Sequence, residues 1–184
     1  VRPLFDDGSK DARSASRDYV LYEHPQQRLP MISIFGGKLT TYRIVAEKTV
    51  NKLLHLDARY ANPWTADEPL PGGEFADGHV AVFVADMRQS YPWIPEALLF
   101  RYARSYGTRM ERFLQGAQSL RDLGRNFGGD VYEAELLYLV HYEWAMSAED
   151  ALFRRSKLGL HISDETRVAI ERAWPKIMKG ARCG

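Results

Sequence analysis

At 184 residues the chain is long enough for one or two modest domains, and its 45% apolar and 27% charged residues are globular values. A net charge of +1 excludes a strong general attraction for nucleic acid. The single cysteine, Cys183, excludes an internal disulfide framework and fits a reducing, cytosolic compartment.

No apolar run approaches the ~20 residues that cross a bilayer, and the N-terminus has no signal-like pattern. The chain opens at Val1 with no initiator methionine, which sets the expectation of a piece of a longer protein.

In chain order, Arg2 precedes Pro3, which biases it toward extended backbone. Phe5 to Ser16 is rich in Asp, Gly, Ser and Lys and reads as a surface loop. Arg17 opens a strand from Tyr19 to His24, and His24-Pro25-Gln26-Gln27 reads as a turn. His24 fits a turn residue better than a catalytic base. The chain then returns antiparallel into Met31–Phe35, a strand expected to be buried on at least one face. Gly36-Gly37 permits a sharp turn, and Thr40 or Thr41 can cap the helix that follows. Tyr42, Ala46, Thr49, Val50 and Leu53 share one face of that helix; Arg43, Glu47, Lys48, Asn51 and Lys52 share the other. Strand, glycine turn and helix N-terminus gather backbone N–H groups and a positive dipole end around one point. That arrangement suits phosphate, carboxylate or an electron-rich ring edge. The same spacing also serves an ordinary strand-to-helix connection, in which Lys38 is a solvated loop residue.

Pro63, Pro69, Pro71, Gly72, Gly73 and Gly78 mark residues 58–78 as a linker between an N-terminal part, 1–57, and a helical domain, 79–184. Val80 to Met87 is strand-like in composition but helical in spacing, and is read as helix. Pro95 suits a first helical turn, and Gly107 a helix end after Tyr106. Thr108-Arg109-Met110-Glu111 and Asp130-Val131-Tyr132-Glu133 read as capping boxes. The second opens the apolar run Tyr132 to Met146, expected at the centre of the domain. Glu135, His141 and Glu143 lie in or near it, but no two form a close pair of good metal ligands, so no metal site is assigned. Ser147 caps a helix to Leu158, with Asp150 at its third position and Gly159 as its stop. Arg154, Arg155 and Lys157 form a basic cluster there, read as a solvated face with acidic lipid headgroups or salt bridges as the functional options. Ser163 caps the last helix, whose Thr166, Ala169, Ile170, Ala173, Trp174 and Ile177 share a side, and Pro175 is expected to bend or end it.

The string Phe35-Gly36-Gly37-Lys38-Leu39-Thr40-Thr41-Tyr42-Arg43, followed by Ala46-Glu47, resembles the flavin-contacting segment of FAD-dependent glycerol-3-phosphate dehydrogenases. Val1-Arg2-Pro3-Leu4 and Arg17-Asp18-Tyr19 resemble the two arginine-bearing segments that precede it in that family. Leu70-Pro71-Gly72-Gly73, Tyr132-Glu133-Ala134-Glu135-Leu136 and the stretch from Asp150 to Gly159 resemble its helical C-terminal domain. The resemblance runs through essentially the whole chain, in the family's order. It implies a mainly α fold with a short N-terminal β-hairpin: the tail of an FAD-binding α/β domain, then an all-helical C-terminal domain.

The resemblance also implies that the parent protein oxidises sn-glycerol 3-phosphate to dihydroxyacetone phosphate, with hydride passing from C2 to flavin N5. Electrons would go on to a membrane quinone, from a protein attached peripherally to the inner face of the cell membrane. By the same resemblance Arg2 and Arg17 bind substrate and Lys38 assists beside the flavin. Gly36, Gly37, Lys38, Leu39, Thr40 and Thr41 hold FAD. One departure is large: the chain lacks the Gly-x-Gly-x-x-Gly turn that grips a dinucleotide pyrophosphate. By itself it is therefore expected neither to retain FAD nor to turn over substrate. Two alternatives stay open: a related oxidase that uses oxygen, and a helical domain that serves as a dimerisation or partner-docking module.

Overall fold

The computed structural model describes residues 18–54, 64–75 and 78–181. The chain divides into two compact units, Val1–Glu68 and Pro69–Gly184. The observed fold is mainly helical with a two-stranded N-terminal hairpin, as the sequence implies. Among the described residues no helix is long and apolar enough to cross a membrane.

In the first unit, β1 (Tyr19–Glu23) pairs antiparallel with β2 (Ile32–Gly36), in a register running from Tyr19 opposite Gly36 to Glu23 opposite Ile32. His24 belongs to the turn: its amide donates to the Met31 carbonyl, and its Nε2 lies 2.8 Å from Ser33 Oγ. Helix α1 (Tyr42–Leu53) follows, and Lys52 closes back on Glu23 at the hairpin's turn end. The expected burial of β2 is not seen. Ile34 is 50% exposed and Phe35 43%, and none of the described residues 18–54 and 64–68 is buried. The two antiparallel strands have two faces, and the one short helix among the described residues of this unit cannot cover both.

The expected faces of α1 are also redistributed. Tyr42, Ala46 and Val50 are exposed, whereas Arg43 and Glu47 are half-buried around Thr65. Arg43 donates to the Thr65 hydroxyl at 3.0 Å, and that hydroxyl donates to Glu47. A polar clamp thus replaces the apolar seam predicted from spacing.

The second unit holds all the buried hydrophobics among the described residues. Helices α2 (Val80–Ser90), α3 (Glu96–Tyr106), α4 (Glu111–Leu114), α5 (Glu133–Glu143) and α6 (Asp164–Ala181) enclose Leu98, Leu99, Tyr102, Leu136, Leu139 and Ile170, all fully buried. Each such side chain contributes roughly 1.5–3 kcal/mol over its exposed state. Tyr102, Tyr106 and Tyr138 pack edge-on or tilted around Phe113, with ring centroids 4.9–5.3 Å from it.

Gly107 ends α3 as expected, at φ +54°. The reason is tertiary as well as local. A Cβ on Gly107 would lie 1.7 Å from the Gly72 carbonyl oxygen. That carbonyl accepts the Thr108 amide at 3.0 Å, which ties Leu70-Pro71-Gly72-Gly73 to the end of α3.

The capping box predicted at Thr108 does not form. Its hydroxyl donates instead to Glu74, which also accepts the Gly72 amide, each at 2.7 Å. Nor does Asp130 cap α5; it takes φ +57°, and Tyr132 stands at the cap without a side-chain bond. Helix α5 stops at Glu143, three residues short of the apolar run. Trp144 turns left-handed and the Ala145 amide reaches back to the Leu139 carbonyl, leaving Trp144 and Met146 exposed.

Ser147 and Asp150 do cap reciprocally, but the segment they start is a π-helix, Asp150–Arg155, followed by a short 3-10 turn at Leu158–Leu160. Ser163 caps α6 through the Thr166 amide. Pro175 does not end that helix, because Trp174 and Ile177, on either side of it, are both anchored in the core. Trp174 also donates from Nε1 to the Met146 carbonyl at 3.2 Å.

Candidate functional site

The turn from Gly36 to Thr41 is built by three local choices. Gly36 and Gly37 take φ of +71° and +94°, a region that side chains strongly disfavour. Lys38 then returns to extended backbone, and a 3-10 turn, Leu39–Thr41, leads into α1. Thr41 rather than Thr40 stands at the start of α1, but its hydroxyl turns back to Lys38 instead of capping that helix. The Lys38 amide donates to Thr41 Oγ1 at 3.1 Å, while the Thr41 hydroxyl and amide both donate to the Lys38 carbonyl at 2.9 Å.

This lock leaves the amides of Leu39 and Thr40 as the first-turn N–H groups with no partner inside the helix. No carboxylate stands in the first turn of either the 3-10 segment or α1, so the helix start carries no acidic residue of its own against its positive end. Leu39 is 90% exposed, and Lys38 and Thr40 are exposed with it. The Lys48 ammonium lies 5.5 Å from the centroid of the Tyr19 ring, and Tyr19 is the strand partner of Gly36. That contact fastens α1 to the strand beside the turn.

Lys38, Gly36, Gly37, Leu39, Thr40 and Thr41 are therefore brought together on one open turn. Arg2 and Arg17 lie outside the described residues. The pairing of Tyr19 with Gly36 sets the start of β1 beside the glycine turn. A cavity of about 330 Å³ in this unit lies at the other end of the hairpin, among His24, Met31, Ile32 and Lys52.

The arrangement fits a flavin in one specific respect. Amides at a helix start, with glycines on their approach and an exposed lysine between, suit an electron-rich ring edge. Among the described residues, no three His, Cys, Asp or Glu side chains converge in a way that would hold a metal ion.

Sequence reasoning missed the polar centre of the helical unit. Glu135 is wholly buried; Arg101 forks onto both its oxygens at 2.5 and 2.9 Å, and the Tyr106 hydroxyl donates to it at 2.6 Å. Burial alone would lower the Arg101 guanidinium, but the Glu135 carboxylate outweighs it and holds it above its ordinary value. Burial, reinforced by the same carboxylate, pushes the Tyr102 and Tyr106 hydroxyls up. The one available signal was a glutamate inside a strongly apolar run, which requires a buried partner.

Comparison with known proteins agrees with the helical unit. The family described as the C-terminal domain of alpha-glycerophosphate oxidase matches residues 63–180, and the chain belongs to that family. The chain is 46% identical over 92% of its length to a D-erythritol 1-phosphate dehydrogenase of Brucella abortus, covering 34% of that protein. It is 43% identical over 92% of its length to a glycerol-3-phosphate dehydrogenase of Pseudomonas aeruginosa and to the aerobic glycerol-3-phosphate dehydrogenase of Escherichia coli. It covers 33% and 34% of those proteins, so it spans about a third of the relatives it matches.

Proposed function

We propose that the whole protein containing this chain is a flavoprotein oxidoreductase that oxidises the secondary hydroxyl of a small polyol phosphate, with glycerol 3-phosphate as substrate and dihydroxyacetone phosphate as product. The observation that supports the reading is the Gly36–Thr41 turn, whose first-turn amides and exposed Lys38 suit the flavin contacts that the resemblance to glycerol-3-phosphate dehydrogenases implies. FAD, when bound, would supply the acceptor for the hydride that leaves the carbinol carbon. The chain's own residues would then do three things. The Leu39 and Thr40 amides would donate to the ring edge or its ribityl chain, favouring negative charge there. Lys38 would set a positive charge beside the reacting carbon. Arg2 and Arg17 would hold the substrate phosphate with their planar forks.

Electron transfer to a membrane quinone, cytoplasmic placement at the inner face of the membrane and a homodimeric state belong to the same proposal. So does the inactivity of the 184-residue chain alone. A second substrate, D-erythritol 1-phosphate, is favoured by the 46% identical relative named for it. Oxygen as acceptor is favoured by the oxidase that names the matching family.

The test is the visible spectrum of the whole protein, mixed without oxygen with each of the two polyol phosphates. Bleaching of the flavin bands by one and not the other names the substrate; bound flavin that neither bleaches sinks the reaction. A colourless protein sinks the reading of residues 36–41. Lys38→Ala is expected to slow the bleaching roughly 10²-fold or more, the scale for losing one preorganised charge. Peroxide yield in air against reduction of a quinone analogue then separates the acceptors.

A further inference from the structure

The helical unit holds a second concentration of chemistry that the polyol-phosphate reading leaves unused. A cavity of about 530 Å³ lies between α3 and the end of the π-helix with the turn after it. Its walls carry Arg101, Arg104, Arg154, Arg155, Lys157 and His161 and, among the described residues, no carboxylate. Two of these cations are compensated: Arg101 by Glu135, and Arg154 by Glu149 and Asp150 at 2.8 Å each. Among the described residues, no carboxylate stands within ion-pair distance of Arg104, Arg155 or Lys157.

The backbone that carries them is fixed. The Ser156 amide donates at 3.1 Å to the Ala151 carbonyl, five residues back, and the Ser156 hydroxyl donates to the same oxygen at 2.6 Å. Leu158 is buried in the core. Gly159 lies so close to Phe153 that a Cβ would stand 2.4 Å from the ring. Glycine lets the turn carrying Lys157 and His161 lie down on the π-helix without displacing the Phe153 ring. The backbone that carries the basic wall is therefore set by packing before any ligand arrives. A π-helix at this position also fits a site, since such wide turns recur where function needs a displaced side chain.

Uncompensated like charges gathered in one concavity repel each other, and low-dielectric walls strengthen the field they share. A doubly charged phosphate relieves that repulsion, and arginine forks match its oxygens. Phe100, Ala97 and Leu158 give the cavity an apolar side, room for the carbon part of an ester. The volume suits a small molecule or one headgroup, and the net charge of +1 argues against a general polyanion surface.

We infer that this cavity binds the phosphate group of a small phosphate ester, through Arg104, Arg155 and Lys157. The same chemistry is offered by a free metabolite and by an anionic phospholipid headgroup.

The experiment titrates the 184-residue chain calorimetrically, at low salt and in phosphate-free buffer, with inorganic phosphate and with glycerol 3-phosphate. In parallel it is sedimented with phosphatidylglycerol or phosphatidylcholine vesicles. Arg155→Ala/Lys157→Ala, whose targets are both exposed, should weaken binding about tenfold or more without shifting the melting temperature. Arg17→Ala/Lys38→Ala should leave this binding in place. Saturable binding of the soluble esters that follows this pattern supports the inference and assigns a free ester. Selective pelleting with phosphatidylglycerol that follows it supports the inference and assigns a headgroup. Binding that survives Arg155→Ala/Lys157→Ala but is lost in Arg17→Ala/Lys38→Ala overturns the cavity site while leaving the catalytic reading intact. Absence of any binding overturns the cavity site as well.

Discussion

The two units make opposite use of similar sequence material. In the first, Tyr22, Met31, Ile34, Phe35, Tyr42 and Val50 are all large, apolar and exposed. In the second, side chains of the same types fill a continuous core from Phe83 to Ile177. Composition does not distinguish them; the number of elements that cover each face, among the described residues, does. A hairpin and one helix hold their geometry through backbone pairing, the Lys38–Thr41 lock and the Arg43–Thr65–Glu47 clamp. Five helices and the π-helical segment bury their apolar faces against one another. The candidate flavin turn thus sits on the unit held by polar contacts, and the basic cavity on the unit held by packing.

The largest effect should come from Gly107→Ala in the packed unit. A left-handed residue and a Cβ driven into the Gly72 carbonyl together should cost about 3 kcal/mol or more, read as a fall in the denaturation midpoint of the 184-residue chain. A normal midpoint would mean that the contact between residues 70–73 and the end of α3 is dispensable. Glu135→Ala should cost about 3 kcal/mol by leaving Arg101 and the Tyr106 hydroxyl without their shared partner. Restoring stability with a second change, Arg101→Met, would mark the pair as a specificity device rather than a source of stability.

The comparison sharpens with a matched pair of truncations. Leu136→Ala should cost roughly 2–5 kcal/mol as a core cavity, whereas Ile34→Ala should stay within about 0.5 kcal/mol. Equal losses in the 184-residue chain would show that the hairpin face is covered after all. Acid should have the smallest effect. The Thr108 hydroxyl, followed by the amides of Glu74 itself and of Gly72, holds the Glu74 carboxyl below its ordinary range. Desolvation pushes Asp150 up, but the Met146 and Ser147 amides, the Ser147 hydroxyl and Arg154 outweigh it and hold it down. For such groups the stability is fully present above the unfolded carboxylate range. It is lost as pH falls below that range and through the depressed folded values, because the unfolded chain takes up protons first. Asp150→Asn should flatten this acid limb slightly; an unchanged limb would assign it to other carboxylates.

Several elements were legible without coordinates because their determinants are local. The antiparallel hairpin followed from two short strand-like runs around the turn at His24, and the helices from Val80 and from Glu96 followed from spacing, Pro95 and Gly107. The glycine turn was legible because positive φ at Gly36 and Gly37 is a property of those residues alone. Thr108 and Pro175 misled for the opposite reason. A hydroxyl that could cap locally found a better acceptor in Glu74, and a helix breaker was overruled by buried neighbours on both sides.

By itself, the sequence determined the helical class, the order of the elements and the motif at residues 35–43, all of which depend on residues adjacent in the chain. Only the tertiary structure decided that Glu135 would be neutralised by Arg101, thirty-four residues away. It also decided that Gly72 would press against Gly107, and that Arg104 would join Arg155 and Lys157 around one cavity. Such contacts join residues far apart in the chain, and their energy comes from desolvation and shape, which no local pattern encodes.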